Sequence, residues 1–394
     1  MVEAARYDKG RGARVAFVAT SYPTSPDDPA GHFVRAEALA LARAGDEVHV
    51  VAPDPWELDA GVVVHRAGGK ELFAWPGAAA RFELARGRAI YAAPFALGAI
   101  RALRAIAPRR VVAHWLVPAA FPLAEAAPSA ELEVVCHGAD VRLLLALPPP
   151  LRRAIVGRVV RRASCVRFVA ASLREALLGG LDRETRALLA MRSVVRSPLV
   201  DVGDAAEIVP FGRPYALVAS RLVPGKRVGL AVAAAARAGI ALVVVGDGPE
   251  LVRLSSAQSA SFLAKRGRRE TLGWIKNAAV LLHPSAVDAA PTSVLEARAF
   301  GVPVVSCGAG DVAAWARTDA GIVLAAPDPG AFARALAALA LGAGAKLFRR
   351  QASRPKRGWR PRSEQRRRTV VRRAAQRRGR QPEREDRRLT AEQF

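Results

Sequence analysis

The chain has 394 residues, 51% of them apolar, which is enough material for two domains with large cores. Its three cysteines, Cys136, Cys165 and Cys307, lack paired spacing, which argues against a disulfide framework or a zinc site and for a reducing compartment. The net charge is +25, but residues 346–394 hold 19 Lys/Arg against 5 Asp/Glu, a net of +14 that leaves the body at only +11. The first residues read as neither a signal peptide nor a membrane anchor, and no stretch is expected to be long enough to cross a bilayer, so a cytoplasmic protein is expected.

Residues 1–13 read as a flexible leader. The apolar run RVAFVAT at 14–20 predicts a first parallel strand, followed by a polar loop rich in Pro, Asp and Gly to residue 32. Helical spacing over 33–43 ends at Ala44-Gly45, and EVHVVAP at 47–53 predicts the second strand. Such a β-loop-α-β order opens a doubly wound sheet. No G-x-G-x-x-G follows the first strand, so a nicotinamide or flavin cofactor has little support. A helix is expected over 94–107 and a strand over 110–114, then a helix to about residue 126. Another strand over 131–136 ends in His137-Gly138-Ala139-Asp140. His114 and His137 thus close successive strands at their carboxyl ends, where ligands of open α/β sheets collect. The basic helix over 151–162 carries a core-facing stripe, and its arginines read either as solvated or as a contact for anionic lipid. A strand over 165–170 follows, and Ser172 with Glu175 reads as a capping box.

The pattern breaks between Arg196 and Pro214, which places a linker over 199–214 between domains at 14–198 and 215–342. A new strand at 215–219 leads into Ser220-Arg221-Leu222-Val223-Pro224-Gly225-Lys226. A diphosphate leaving group needs its charge neutralised by a metal or by fixed cations. No D-x-D occurs, and Arg221 and Lys226 across a strand-to-helix loop can serve instead. A helix over 227–238 and a strand over 240–245 precede Gly246-Asp247-Gly248-Pro249, read as a tight turn. The strand over 279–283 then ends in the loop that carries Asp288, with Thr292 as the expected cap of a helix over 293–300. Asp288 in the loop and Glu296 in the helix are eight apart, and both can accept hydrogen bonds from sugar or ribose hydroxyls. Pro291, Thr292 and Ser293 at the helix start would aim backbone groups at phosphate. The alternative for these residues is an ordinary strand-loop-helix with solvated charges.

The stretch from Asp288 through Glu296 to Gly301-Val302-Pro303-Val304-Val305 resembles the donor loop of retaining glycosyltransferase family 4, in which two acids separated by seven other residues are followed by A-x-x-x-G-x-P-V-V. Arg221 and Lys226 overlay its G-R-L-x-x-x-K pattern, His114-Trp115 and Pro118 its H-W-x-x-P, and His137 to Asp140 its H-G-x-D. The resemblance covers residues 14–341. Asp288 stands in place of Glu and Ser220 in place of Gly, and the Ser- and Arg-rich stretch at 255–269 departs from the pattern.

The resemblance implies an α/β fold of two facing Rossmann-like domains with a cleft between them, the GT-B architecture. It implies transfer of a hexose with retention, from a UDP- or GDP-sugar to a saccharide or lipid-linked acceptor, without metal and with no cofactor beyond the co-substrate. Arg221, Lys226 and the 291–293 backbone would hold the diphosphate, Glu296 the ribose and Asp288 the sugar. His137 would sit beside the reacting centre, with Gly31, His32, Phe33 and His114 on the acceptor side. The enzyme would be cytoplasmic, with peripheral contact at the inner membrane face if the basic helix binds lipid, and with no specific nucleic acid. A degenerate, inactive transferase, an epimerase of the same shape, and a binder of anionic surfaces or nucleic acid driven by the tail are the alternatives. The Arg-rich sequence over 343–394 reads either as a disordered basic tail or as a frameshift in a GC-rich gene.

Overall fold

Short runs of valine, leucine and alanine, buried on both faces and bounded by loops, are the signature of parallel strands covered by helices. The structure, a computed structural model, shows this pattern twice. It describes residues 12–56, 61–73, 86–208, 214–256 and 259–339. The leader up to residue 11 and the whole Arg-rich tail lie outside the described residues.

The first sheet contains β1 (Arg14–Val18), β2 (Glu47–Ala52), β3 (Val62–Arg66), β4 (Arg110–His114), β5 (Glu131–Cys136), β6 (Cys165–Phe168) and β7 (Ser193–Val195). All pairings are parallel, in the order β3-β2-β1-β4-β5-β6-β7. Its helices are α1 (His32–Ala44), α2 (Ala92–Ile106), α3 (Ala139–Ala146), α4 (Pro149–Arg162), α5 (Ala171–Gly179) and α6 (Arg183–Arg192). The second sheet contains β8 (Tyr215–Ala219), β9 (Ala241–Val245), β10 (Ala260–Phe262), β11 (Val280–His283), β12 (Val304–Ser306) and β13 (Ile322–Leu324), in the order β10-β9-β8-β11-β12-β13. It is flanked by α7 (Val228–Ala238), α8 (Leu251–Ser255), α9 (Arg268–Asn277), α10 (Thr292–Ala299), α11 (Val312–Ala316) and a helix α12 over 329–339. Each sheet has a separate hydrophobic cluster on either face, so the chain forms two α/β domains.

In both sheets the strand order reverses beside the domain's first strand, between β1 and β4 and between β8 and β11. A crevice opens at such a switch point, outside the carboxyl ends of the strands. The loops after β1, β8 and β11 carry Gly31, Arg221 and Asp288, and His114 is the last residue of β4.

Several local expectations are corrected. The stretch to residue 126 is not a regular helix but a wide turn over Leu116–Ala120 and a 3₁₀ turn over Leu123–Ala126. Pro118 and Pro122 lack the N–H groups that an α-helix needs there. Ser172 is not a cap: α5 begins at Ala171, after Ala170. Thr292 is the first residue of α10, with Pro291 before it and no side-chain cap. One helical run, Gly87–Ile106, is long and apolar enough to cross a bilayer, contrary to expectation. A 3₁₀ turn over Arg86–Tyr91 extends α2 backward, while Phe95, Ala99, Leu103 and Ile106 pack in the domain core. On the basic helix α4, Val156, Val159 and Val160 face the core. Arg158 pairs with Glu125, and Arg152 and Arg162 donate to backbone carbonyls.

Candidate donor and acceptor site

The second sheet supplies most of the charge. Asp288 lies in the loop after β11, and its Oδ2 accepts from Lys226 Nζ at 2.6 Å and from His283 Nε2 at 2.8 Å. Burial pushes its carboxyl up, but the His283 hydrogen bond and the Lys226 charge outweigh that and hold the pKa at about 2. Glu296 projects from α10 and is only 2% exposed. Its Oε1 accepts from Arg268 Nη1 at 2.6 Å and lies 3.3 Å from His32 Nε2. Burial again works upward, and His32 and Arg268 prevail, keeping the carboxyl below its usual range. Both acids are therefore anions that use one oxygen on a protein cation.

Arg221 is exposed and makes no ion pair among the described residues. Its loop is shaped from beneath. A Cβ on Gly246 would collide with the Ser220 carbonyl and one on Gly248 with that of Leu222, while Leu222 N–H donates to Asp247 O at 2.8 Å. The turn at 246–249 is thus a floor for the Arg221 loop. At the start of α10, Thr292 and Ser293 are half-buried, and their N–H groups precede the first intrahelical bond, from Val294 N to Pro291 O.

The first sheet supplies an aromatic wall. Gly31 has φ 65°, and any Cβ there would strike the Ser21 carbonyl, so the tight entry to α1 requires glycine. His32 opens α1, with Nδ1 2.8 Å from Pro29 O, and Phe33 sits 4.7 Å from the His137 ring centre. Trp115 also packs against His137, at 4.8 Å between ring centres, and lies 6.2 Å from Phe33. His114 is 1% exposed and lies behind, its Nδ1 2.9 Å from His137 Nε2. It can act on the cleft only through His137, which places it one layer behind the acceptor side that the resemblance implied. Burial first, then for His137 the neighbouring His114, and for both the Arg167 charge, depress the two imidazoles well below their usual range and keep them neutral.

Asp140, 2% exposed, accepts N–H groups from Leu116, His137 and Gly138 at 2.9–3.1 Å. It ties the loops after β4 and β5 together, although burial pushes its carboxyl up against these bonds. The sequence showed Asp140 within His-Gly-x-Asp but assigned it no task. Arg268 and His283 escaped notice: Arg268 is brought to Glu296 by the fold, across 28 residues, and His283, at the end of the buried strand β11, carries no local mark of its bond to Asp288.

The two walls meet directly. His32 reaches Glu296, Arg268 N–H donates to Asp27 O at 2.8 Å, and Ala289 and Ala290 pack against the cluster that also carries Phe33 and Trp115. Asp311, after β12, accepts the N–H of Ala171 at 2.8 Å and so caps α5 from the other domain. A Cβ on neighbouring Gly310 would overlap the Ala289 carbonyl, which also accepts the Asp311 N–H at 2.9 Å. A cavity of about 220 Å³ opens beside His32 and Arg268, lined also by Arg35, Trp56 and Asp201. Among the described residues no group of three or more His, Cys, Asp or Glu side chains is arranged to hold a metal ion.

Two parallel-sheet domains whose switch points face one another define the GT-B fold of glycosyltransferases. Within it, residues 213–341 match the family described as Glycosyl transferases group 1. The structure is similar to sucrose-phosphate synthase from Thermosynechococcus elongatus, with TM-score 0.62 and 17% identity over 85% of this chain and 94% of the other. It is similar to Anabaena HepE in complex with UDP and glucose, with TM-score 0.57 and 17% identity over 86% and 95%. The catalytic domain of starch synthase IV from Arabidopsis thaliana, bound to ADP and acarbose, gives TM-score 0.60 and 15% identity over 86% and 94%. Comparison with curated protein sequences finds no match.

Proposed function

We propose that the protein is a retaining glycosyltransferase that moves a hexose from a UDP- or GDP-sugar to a saccharide or lipid-linked acceptor. One observation carries this reading: two ionised carboxylates and two cations converge at the switch point of the second sheet, against an aromatic wall holding a neutral histidine. Arg221 and Lys226 neutralise the diphosphate without a metal, assisted by the N–H groups of Thr292 and Ser293 after Pro291. Glu296 accepts the ribose hydroxyls through Oε2, and Asp288 orients the donor sugar. His137, held neutral, is a hydrogen-bonding group beside the reacting centre rather than a cation. Gly31, His32 and Phe33 shape the acceptor side. The names of similar structures, bound to UDP with glucose or to ADP with acarbose, support a nucleotide-sugar donor. For a lipid-linked acceptor, Arg153 and Arg161 on the exposed face of α4 would meet anionic headgroups at the inner face of the membrane.

The test is calorimetric titration with UDP, GDP and ADP in the presence of EDTA. One nucleotide is expected to bind the wild type, and Glu296→Ala is expected to weaken it about 10- to 100-fold, the worth of hydrogen bonds to a charged group. Glu296→Gln separates loss of charge from loss of fold. Failure of all three nucleotides to bind a folded protein would end the transferase reading.

A further inference from the structure

Asp288 is one methylene shorter than the glutamate of the resembling family, and a chain of three residues on two strands holds it. His283, the last residue of β11, is 5% exposed and donates to Asp288 Oδ2. Its other nitrogen, Nδ1, lies 2.9 Å from Oγ of Ser306, the fully buried last residue of β12. Gly308 N–H donates to that same Oγ at 3.0 Å.

The protons can be assigned along this chain. The ionised Asp288 oxygen can only accept, so His283 Nε2 must carry the proton of that bond, and Ser306 Oγ, which accepts from Gly308 N–H, still has its hydroxyl hydrogen to give to Nδ1. Nδ1 is then bare, and Nε2 carries the proton that Asp288 accepts. A neutral imidazole satisfies every partner. The opposite tautomer would set the Nε2 lone pair against a carboxylate oxygen at 2.8 Å. Lys226 adds a second bond to Oδ2, while no described residue bonds Oδ1. The lysine retains two further N–H donors.

We infer that His283, held by Ser306, is a positioning residue of the donor site: with Lys226 it commits Oδ2 of Asp288 and leaves Oδ1 as the oxygen that receives a donor-sugar hydroxyl. The inference rests on the nucleotide-sugar reading above. Two adjacent parallel strands set the rotation of the carboxylate, which offsets the shorter side chain. Lys226 joins the sugar-facing acid to the diphosphate-facing cations.

The experiment compares the full-length wild type with His283→Leu, His283→Gln and Ser306→Ala, each checked for folding by thermal unfolding. Nitrogen-15 NMR is expected to show His283 as the neutral Nε2–H tautomer, and Ser306→Ala to give a mixture. UDP release from UDP-glucose, with GDP-mannose and ADP-glucose in parallel, reads turnover, and calorimetry with the matching nucleoside diphosphate reads binding. His283→Leu is expected to lower kcat about 10- to 100-fold while changing the diphosphate Kd less than about threefold, within ~0.7 kcal/mol. His283→Gln, which can present an amide N–H near the Nε2 position, is expected to recover part of the turnover. An Nδ1–H tautomer in the wild type overturns the inference. So does a Leu variant that loses diphosphate binding as much as turnover, or a Gln variant no better than Leu. If no nucleotide binds the folded wild type, the transferase reading falls and takes the sugar-facing role with it. A failed relay with intact nucleotide binding overturns the positioning role alone.

Discussion

Asp288 and Glu296 are ionised because each shares one oxygen with a cation, and His114 and His137 are neutral because burial denies them a proton. These states set the pH dependence of stability. The two histidines, depressed below an unfolded value of about 6.5, contribute stability that begins to fall as pH drops below that value. Asp288, at about 2 against 3.8 for the unperturbed group, contributes stability present above about pH 4 and lost as pH falls toward 2, on the order of 2 kcal/mol. Thermal unfolding from pH 8 to pH 3 should therefore show a decline starting near pH 6.5 and steepening below 4, and His114→Phe with His137→Phe should remove the first part. Asp140→Ala should destabilise by about 1–3 kcal/mol, since it strips buried N–H groups of their acceptor, as denaturant titration would show. At this scale the sequence exposed the groups whose spacing is local. Arg221 with Lys226 and Asp288 with Glu296 each sit in one strand-loop-helix unit. Arg268 lies 28 residues from Glu296, so only the fold joins them, while His283, though just 5 residues before Asp288, closes an apolar run and reads as a strand end.

Helix ends show the same division between local and tertiary causes. The Ser-x-x-Glu pattern at 172–175 promised a cap made within the helix, and a carboxylate from the other domain makes it instead. Asp311→Ala should destabilise by about 1 kcal/mol, the typical worth of a cap, and the loss should localise to faster amide exchange at Ala171 and Ser172. At the turn beneath Arg221, Gly246→Ala would force a methyl into the Ser220 carbonyl. It should weaken nucleoside diphosphate binding measured by calorimetry by about tenfold or more, together with a loss of stability of roughly 1–3 kcal/mol. Regular helices and buried strands were legible because apolar spacing reports them directly. The stretch over 116–126 was apolar at helical spacing too, but two prolines withdrew the donors that the spacing presumes.

The two domains share one plan, and the plan was legible as a restarted α/β pattern after the break near residue 200. What the pattern could not show is how firmly the halves engage. Asp311, Arg268, His32 and the Ala289-Ala290 pair all cross between them: Arg268 and His32 reach Glu296, Ala289 and Ala290 follow Asp288, and Asp311 N–H bonds Ala289 O. Small-angle scattering should show Asp311→Ala with a larger radius of gyration than the wild type, and nucleoside diphosphate should reduce the difference.

Gly310 and Asp311 seat directly on the backbone of the acidic loop while holding the neighbouring domain. Exchange of this loop with that of another chain therefore has a minimum unit. A graft of residues 284–301 alone would arrive without the 306–312 segment that supports it from below. A chimera that carries both segments keeps the anchoring and the acid together, so the proposed donor contacts and the interdomain fit travel as one piece.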